Sequence, residues 1–181
     1  NGLNINDQCG ATSPQSLQQK VLELGADMGF AFDGDGDRLV VVDDRGIIWD
    51  GDDVLSFMAS FIPKGSGVVG TVMSNQGLAI DFQRKNIPFL RSSVGDRSVF
   101  QLLRKSGWKL GGEPSGHLLD LRYMVSGDAL IAAVLLLGYL LDKNKPLHEW
   151  RLQERLPQVL RNARYTGTPD QVLARIDSLK K

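Results

Sequence analysis

Residues 31–46 read AFDGDGDRLVVVDDRG, which places three aspartates within five positions between two apolar runs. The runs MGFAF (28–32) and RLVVVD (38–43) have the length and apolar character of short strands. The segment DDRG (43–46), followed by IIWD, is typical of a turn that closes a β-hairpin. The aspartates are therefore predicted to lie in a loop between two strands.

The aspartate loop has the residue pattern of a metal site. Three carboxylates held close together repel one another, and a divalent cation removes that cost. Asp33, Asp35 and Asp37 alternate with glycines, which let the backbone curve and turn the carboxylates toward one centre. Oxygen-only ligands suit Mg²⁺, or less often Ca²⁺ or Mn²⁺. Arg38 follows directly, and a guanidinium beside a metal suits a phosphate group.

Two other interpretations of the aspartate loop remain open from its residues alone. In the first it is a solvated turn of aspartate and glycine. In the second it is a calcium loop of the EF-hand type, which has glycine at its sixth position and glutamate at its twelfth. Arg38 and Asp44 occupy those two positions here, and strands rather than helices are predicted on either side.

A second glycine-rich segment, GGEPSGH (111–117), follows a predicted strand. Its glycines allow the backbone to approach a ligand, and Glu113 and Ser115 can bond to hydroxyl groups such as those of a sugar. His117 is a candidate proton carrier or phosphate contact near neutral pH. The alternative is a glycine-rich turn whose histidine is merely packed.

The amino-acid composition argues against two classes of protein, those that bind nucleic acid non-specifically and those that span a membrane. The 181 residues include 21 basic and 21 acidic side chains, which argues against non-specific nucleic-acid binding because that needs a basic surface. The longest apolar run, residues 129–141, is shorter than the ~20 residues of a membrane span. No membrane partner is therefore expected. Cys9 is the single cysteine, so no disulfide framework is possible within the chain, and a reducing, cytoplasmic location is expected.

Alternating strand and helix patterns predict an α/β fold in which a mixed β-sheet is layered between helices. Both glycine-rich loops are expected at one edge of the structure, facing a common cleft. Helices are predicted at 14–25, 52–62, 77–85, 96–107, 129–141 and 170–181, and further strands at 67–73, 88–92, 108–113, 117–121 and 158–165.

Several stretches together resemble the α-D-phosphohexomutase family, and within it the phosphoglucosamine branch. They occur in the family's order and at similar spacing over most of the chain, and the pair DGDGDR and GExSGH is highly specific. The segments GLNIND, CGAT and VGDR favour the glucosamine branch over the phosphomannomutase and phosphoglucomutase branches. The matching stretches are GLNINDQCGATSPQSLQ, ADMGFAFDGDGDRLVVVD, GTVMSN, SSVGDRSV, GGEPSGH and SGDAL.

The resemblance implies a domain organisation. Residues 1–49 would be the C-terminal part of the family's domain 2, carrying the metal loop. Residues 50–156 would be the sugar-binding α/β domain 3, and residues 157–181 the truncated start of domain 4. The chain is thus expected to be a fragment that lacks domain 1 and most of domain 4, and the enzyme is a possible homodimer.

The resemblance also implies a reaction in which an active-site phosphoserine and a sugar bisphosphate intermediate interconvert glucosamine 6-phosphate and glucosamine 1-phosphate, for cell-wall precursor synthesis. Mg²⁺ would be held by the three aspartates together with a phosphoserine oxygen. The remaining roles are Arg38 at the phosphate; Glu113, Ser115 and Gly116 at the sugar; Arg97 and Asp96 shaping the sugar site; and His117 in proton transfer or phosphate contact.

Two of the family's loops, the serine loop and the phosphate-binding loop of domain 4, have no match in these residues, so the chain alone is expected to be inactive. Pro114 stands where the glucosamine branch more often has glutamine, and it stiffens the sugar loop. The alternatives are therefore a phosphomannomutase or phosphoglucomutase, or a non-catalytic module that binds a metal and a sugar phosphate.

Overall fold

The computed structural model describes residues 2–152, 154–160, 168, 170 and 171 of the chain. Within them the seven strands form two β-sheets, one of three strands and one of four, and helices lie between many of the strands along the chain. In chain order the elements are α1 (Gln15–Leu24), β1 (Met28–Phe32), β2 (Leu39–Asp43), β3 (Ile48–Trp49), α2 (Gly51–Ala59), β4 (Val68–Thr71), α3 (Gln76–Arg84), β5 (Phe89–Ser92), α4 (Asp96–Ser106), β6 (Leu110–Gly112), β7 (Leu118–Asp120), α5 (Ala129–Lys143) and a 3₁₀ helix (Leu147–Trp150).

The first sheet is the antiparallel set β1-β2-β3, and it contains the predicted hairpin. Asp43 fixes the turn: its buried carboxylate accepts hydrogen bonds from the backbone N–H groups of Arg45 and Ile47 and, at 2.9 Å, from the indole N–H of Trp49. Phe32 pairs with Leu39 across β1 and β2, so residues 33–38 form the connecting loop. The aspartates thus lie between two strands, as predicted.

The second sheet has the order β5-β4-β6-β7, with β4 parallel to β5 and β6, and β7 antiparallel to β6. Successive side chains of its strands point to opposite faces of the sheet, and each face packs against an apolar layer. Val68 and Leu110 join the larger cluster with α2 and α5, whereas Val69 packs with Val99 and Leu103 of α4 on the opposite face. The predicted mixed sheet between helices is therefore confirmed.

Helix α5 is two residues longer than the apolar run that predicted it. Asp128 caps its N-terminus by accepting from the N–H of Ile131 at 2.9 Å. Leu136 is buried on one side, while Val134 and Gly138 are exposed on the other. In the described part of the chain, no helix combines the length and apolar character that crossing a bilayer needs.

The strand predicted at 158–165 and the helix predicted at 170–181 fall largely outside the described residues. Of these two segments the structure describes only residues 158–160, which are not in a strand, and residues 170 and 171, which are helical. The proposed boundary near residue 50 lies between β3 and α2, where Asp50 caps α2 by accepting from the N–H groups of Asp52 and Asp53.

Candidate active-site cleft

Backbone hydrogen bonds join the aspartate loop to the second glycine-rich loop. The N–H of Leu39 donates to the carbonyl of Gly116 at 3.0 Å, and Arg38 and His117 form an antiparallel bridge beside it. Gly116 has φ +93°, and a Cβ there would lie 2.2 Å from the carbonyl oxygen of Leu39. Only glycine fits where the two loops cross, so sterics explain why a glycine precedes His117 in GGEPSGH.

Helix α5 supports the aspartate loop from another side. The N–H of Ala129, at the start of the helix, donates to the carbonyl of Gly36 at 3.0 Å. Helix α2 adds a third link, because the N–H of Gly51 donates to the carbonyl of Pro114 at 3.1 Å. The two loops predicted from sequence are therefore held side by side by neighbouring elements of both sheets.

Asp33 organises the aspartate loop internally. Its Oδ1 accepts hydrogen bonds from the backbone N–H groups of Gly36, Asp37 and Arg38 at 3.1–3.2 Å, and its Oδ2 lies 3.3 Å from Nε of Arg38. Burial favours a higher pKa for Asp33, but the N–H of Arg38 and the other donors outweigh it, so the pKa lies below its ordinary value. The loop therefore favours an ionised carboxylate at this position.

Asp37 and His117 form a polar pair between the two loops. Nδ1 of His117 lies 3.2 Å from Oδ2 of Asp37, while Oδ1 of Asp37 and Nε2 of His117 are buried without a hydrogen-bond partner. The imidazole is packed against Gly127, where a Cβ would lie 2.3 Å from Nε2. Nδ1 therefore faces a carboxylate, and Nε2 faces the backbone at the start of α5.

Glu113 connects the second loop to helix α4. Its Oε1 accepts from the N–H of Gly95 at 2.8 Å, and its own N–H donates to the carbonyl of His117. The carbonyl of Glu113 accepts from the N–H of Gly116 at 3.0 Å, which closes the turn. Gly116 thus uses both backbone polar groups inside the protein, and its contribution is the shape of the loop.

A cleft of about 530 Å³ opens between these loops. Five predicted site residues line it: Asp37, Arg38, Glu113, Ser115 and His117. Asp96, which was predicted with Arg97 to shape the sugar site, also lines the cleft, whereas Arg97 is not among the lining residues. Sequence reasoning gave no site role to Met73, Val94 and Gly95, which complete the wall. Their positions in GTVMSN and SSVGDRSV, between the two main motifs, are the signal that could have located them.

The three aspartates are not equivalent in the structure. Asp35 is exposed, Asp33 is turned toward backbone N–H groups, and Asp37 faces His117. Among the described residues, no three histidine, cysteine, aspartate or glutamate side chains are gathered as a ready metal site. The carboxylate donor set nevertheless fits a hard cation such as Mg²⁺, and Oδ1 of Asp37, which accepts no hydrogen bond, has Nε of Arg38 at 3.9 Å. The metal assignment stays a prediction.

Comparison with known proteins establishes the family. The sequence model of phosphoglucomutase/phosphomannomutase, alpha/beta/alpha domain III, matches residues 50–156. The chain belongs to the phosphoglucomutase/phosphomannomutase family. This result confirms the resemblance deduced from the DGDGDR and GGEPSGH motifs, and it agrees with the observed mixed sheet between helices.

Individual relatives agree with this family. A phosphoglucosamine mutase of Acinetobacter baumannii is 52% identical over 165 residues, which are 90% of this chain and 37% of that protein. The crystal structure of a phosphoglucomutase/phosphomannomutase family protein from Burkholderia thailandensis gives a TM-score of 0.69 at 31% identity, over 77% of this chain and 31% of that one. This chain therefore spans less than half the length of each of these relatives.

A more distant structure shares the fold. The Aspergillus fumigatus N-acetylphosphoglucosamine mutase, in complex with GlcNAc-6P and magnesium, gives a TM-score of 0.68 at 20% identity, over 96% of this chain and 48% of that one. At this identity the likeness concerns the fold alone.

Proposed function

We propose that this chain is the central part of a phosphoglucosamine mutase that interconverts glucosamine 6-phosphate and glucosamine 1-phosphate through a phosphoserine and a bisphosphate intermediate. The observation that supports the proposal is that the two loops line one cleft and are joined by a backbone β-bridge between Arg38 of the acidic loop and His117 of the sugar loop. Phosphoryl transfer needs charge stabilisation beside a group that orients the sugar, and this arrangement provides both.

Asp33, Asp35 and Asp37 are the residues proposed to hold Mg²⁺. When bound, the ion would offset the negative charge of the phosphoryl group in transit. The Asp33 carboxylate keeps the loop curved through its three backbone N–H donors. Oδ1 of Asp37 accepts no hydrogen bond and lies 3.9 Å from Nε of Arg38, and it is the oxygen of Asp37 that we propose binds the cation. Arg38, which lines the cleft, would contact the phosphate.

The opposite wall of the cleft would orient the sugar. Glu113 keeps one carboxylate oxygen on the N–H of Gly95, which fixes the side chain toward the cleft. Ser115 lies beside it with a hydroxyl that both donates and accepts. Asp96 shares this wall, whereas we assign Arg97 at most an outer position. Hydroxyl recognition by one carboxylate and one serine is compatible with either orientation of a hexose phosphate.

We assign His117 first to the orientation of Asp37. Its Nδ1 lies 3.2 Å from Oδ2 of Asp37, and Oδ1 of Asp37 accepts no hydrogen bond, so the imidazole is placed beside one oxygen of this carboxylate. Proton transfer through Nδ1 would require this contact to open. Gly127 supports the assignment, because any side chain there would displace the ring.

The reaction is tested by assaying the full-length protein that contains this chain with Mg²⁺ and the 1-phosphates of glucosamine, glucose and mannose. We expect fast turnover of the glucosamine substrate. Preference for glucose or mannose would keep the family but overturn the substrate, and it would implicate Pro114. No turnover of any of the three would favour a metal and sugar-phosphate binding module. The 181-residue chain by itself is expected to show no mutase turnover.

Metal binding can be measured on the 181-residue chain itself, with Mn²⁺ as the probe. Asp35→Asn and Asp37→Asn are each expected to lower Mn²⁺ affinity at least ~10-fold, because each removes one anionic ligand. Water-proton relaxation enhancement or calorimetry gives the affinities. Asp142→Asn, an exposed change on α5, is the matched control. Equal Mn²⁺ affinity of the wild type and the Asp37 variant would favour a solvated turn.

A further inference from the structure

The segment of residues 154–158, called the strap here, contacts the loop of residues 72–75 that joins β4 to α3. This loop carries Met73, which lines the cleft. The strap has no predicted role in the reaction. It contains no helix or strand, yet its residues form hydrogen bonds or ion pairs with this loop, with α2 and with α3.

Asn75 holds the strap through both backbone polar groups of one residue, Leu156. Its Oδ1 accepts from the N–H of Leu156 at 3.0 Å, and its Nδ2 donates to the carbonyl of Leu156 at 2.8 Å. This is the pairing that a neighbouring strand would make, supplied by a side chain. The same Oδ1 accepts from the N–H of Gly77 at 2.9 Å and caps α3, so Asn75 is itself fixed to the start of that helix.

Further contacts hold the two strap residues that precede Leu156. The Arg155 guanidinium lies 3.0 Å from Oδ2 of the buried Asp53 and also pairs with Asp50. Glu154 pairs with Arg84 of α3 at 2.6 Å. Gly77 has no room for a Cβ, which would lie 1.8 Å from the carbonyl oxygen of Glu154. The strap therefore packs on α2 and α3 at van der Waals distance.

The strap also reaches the residue that faces the cleft. Nε2 of Gln158 donates to the carbonyl of Met73 at 2.9 Å. Arg91 of β5 also donates to the carbonyls of Thr71 and Ser74 at 2.9 and 2.6 Å. The backbone around Met73 is thus held by a sheet residue as well as by the strap.

We propose that the strap sets the position of the cleft wall at Met73, with Asn75 and Gln158 as its positioning residues. Loosening the strap would move Met73 relative to Glu113 and Asp37, and so would change the shape of the cleft. The proposal goes beyond the reaction, and it holds whichever sugar phosphate the cleft binds. If the strap only added packing, loosening it would disturb the whole chain. If it positions Met73, the structural change is expected at that one wall of the cleft.

The four methionines of the chain provide the readout. With ¹³C-methyl methionine labelling, the chain gives four signals, which are assigned by single Met→Leu changes. Gln158→Ala removes the contact to the Met73 carbonyl at an exposed position. We expect the Met73 methyl signal to shift by more than its linewidth, while the signals of Met28, Met58 and Met124 stay in place. Gln83→Ala, an exposed glutamine on α3, is the matched control and should move none of them.

Asn75→Asp provides a second variant at the centre of the strap contact. It keeps the acceptor for Leu156 but loses the Nδ2 donor, so the same shift confined to Met73 is expected. A Met73 signal that stays unchanged in both folded variants would overturn the proposal. Comparable shifts of all four signals would overturn it too, because they would indicate general loosening. Neither outcome depends on mutase activity, so a failure here is separate from a failure of the proposed reaction.

Discussion

Gly51→Ala should destabilise the chain by about 3 kcal/mol, although alanine is the better helix former by ~1 kcal/mol. Gly51 is the first residue of α2, and an added Cβ would lie 1.9 Å from the backbone carbonyl oxygen of Glu113. Neither backbone can retreat easily, because the N–H of Gly51 also donates to Pro114. The change would separate α2 from the sugar loop.

The chain offers a matched control for this substitution in another helix. Gly138 lies in α5 with no atom within 4 Å of an added Cβ. Gly138→Ala is therefore expected to stabilise the chain by about 0.5–1 kcal/mol. Urea unfolding of both variants gives the two free energies. Effects of the same sign would contradict the structural explanation, since helix propensity alone predicts a gain at both positions.

Asp52→Asn is expected to increase the free energy of unfolding relative to the wild type by an amount that grows with pH, by up to about 3 kcal/mol between pH 4 and pH 7. Asp52 is 1% exposed, and burial raises its pKa from 3.8 to about 6. The N–H of Asn75 opposes the shift and the charge of Asp50 adds to it. Asparagine keeps the acceptor for that N–H and removes the buried charge.

The sign follows from the proton balance. Between pH 3.8 and about 6 the folded chain binds this proton more strongly than the unfolded chain, so the wild type loses stability as pH rises through that interval. Urea unfolding at pH 4.5, 6 and 7.5 measures the trend. A difference between variant and wild type that is constant with pH, or that shrinks as pH rises, would refute the assignment of a buried, protonated Asp52.

Asp53→Asn is expected to give a smaller gain in the free energy of unfolding than Asp52→Asn. Burial, followed by the charge of Asp50, raises the pKa of Asp53 to about 6 as well. Its Oδ2, however, lies 3.0 Å from the Arg155 guanidinium. Neutralising Asp53 therefore also removes an ion-pair partner, and the gain at pH 7.5 should be smaller than for Asp52→Asn.

Much of the fold could be predicted because its elements are short and strongly patterned. Strand β1 was placed at its observed bounds, and the DDRG turn was recognised from local turn chemistry. Strand β4 ends earlier than the apolar run 67–73 suggests. The hydroxyl of Ser74 accepts from the N–H of Thr71, and Thr71 Oγ1 accepts from the N–H of Met73, so side chains close a turn there. Such competition is not visible in hydrophobic periodicity.

The candidate site was predictable in its residue types and less so in its geometry. The glycines and carboxylates of the two loops carry local signals. The contact between Glu113 and the N–H of Gly95, and the clash that requires glycine at 51, join residues 18 and 62 positions apart, and no local pattern encodes them. The VGDR segment predicts Asp96 and Arg97 at the sugar site; Asp96 lines the cleft and Arg97 is not among the lining residues, so the role of Arg97 stays a prediction.

The two sheets do not have separate interiors. Leu39, Val41 and Trp49 of the first sheet belong to the same apolar cluster as Leu110 and Leu118 of the second. A side chain shared between two layers couples their unfolding, because neither layer can lose it without exposing the other. Residues 28–49 and 50–152 therefore form one cooperative unit. A polypeptide that begins at residue 50 would carry an uncovered apolar face where Trp49 is normally buried, and would be prone to aggregate.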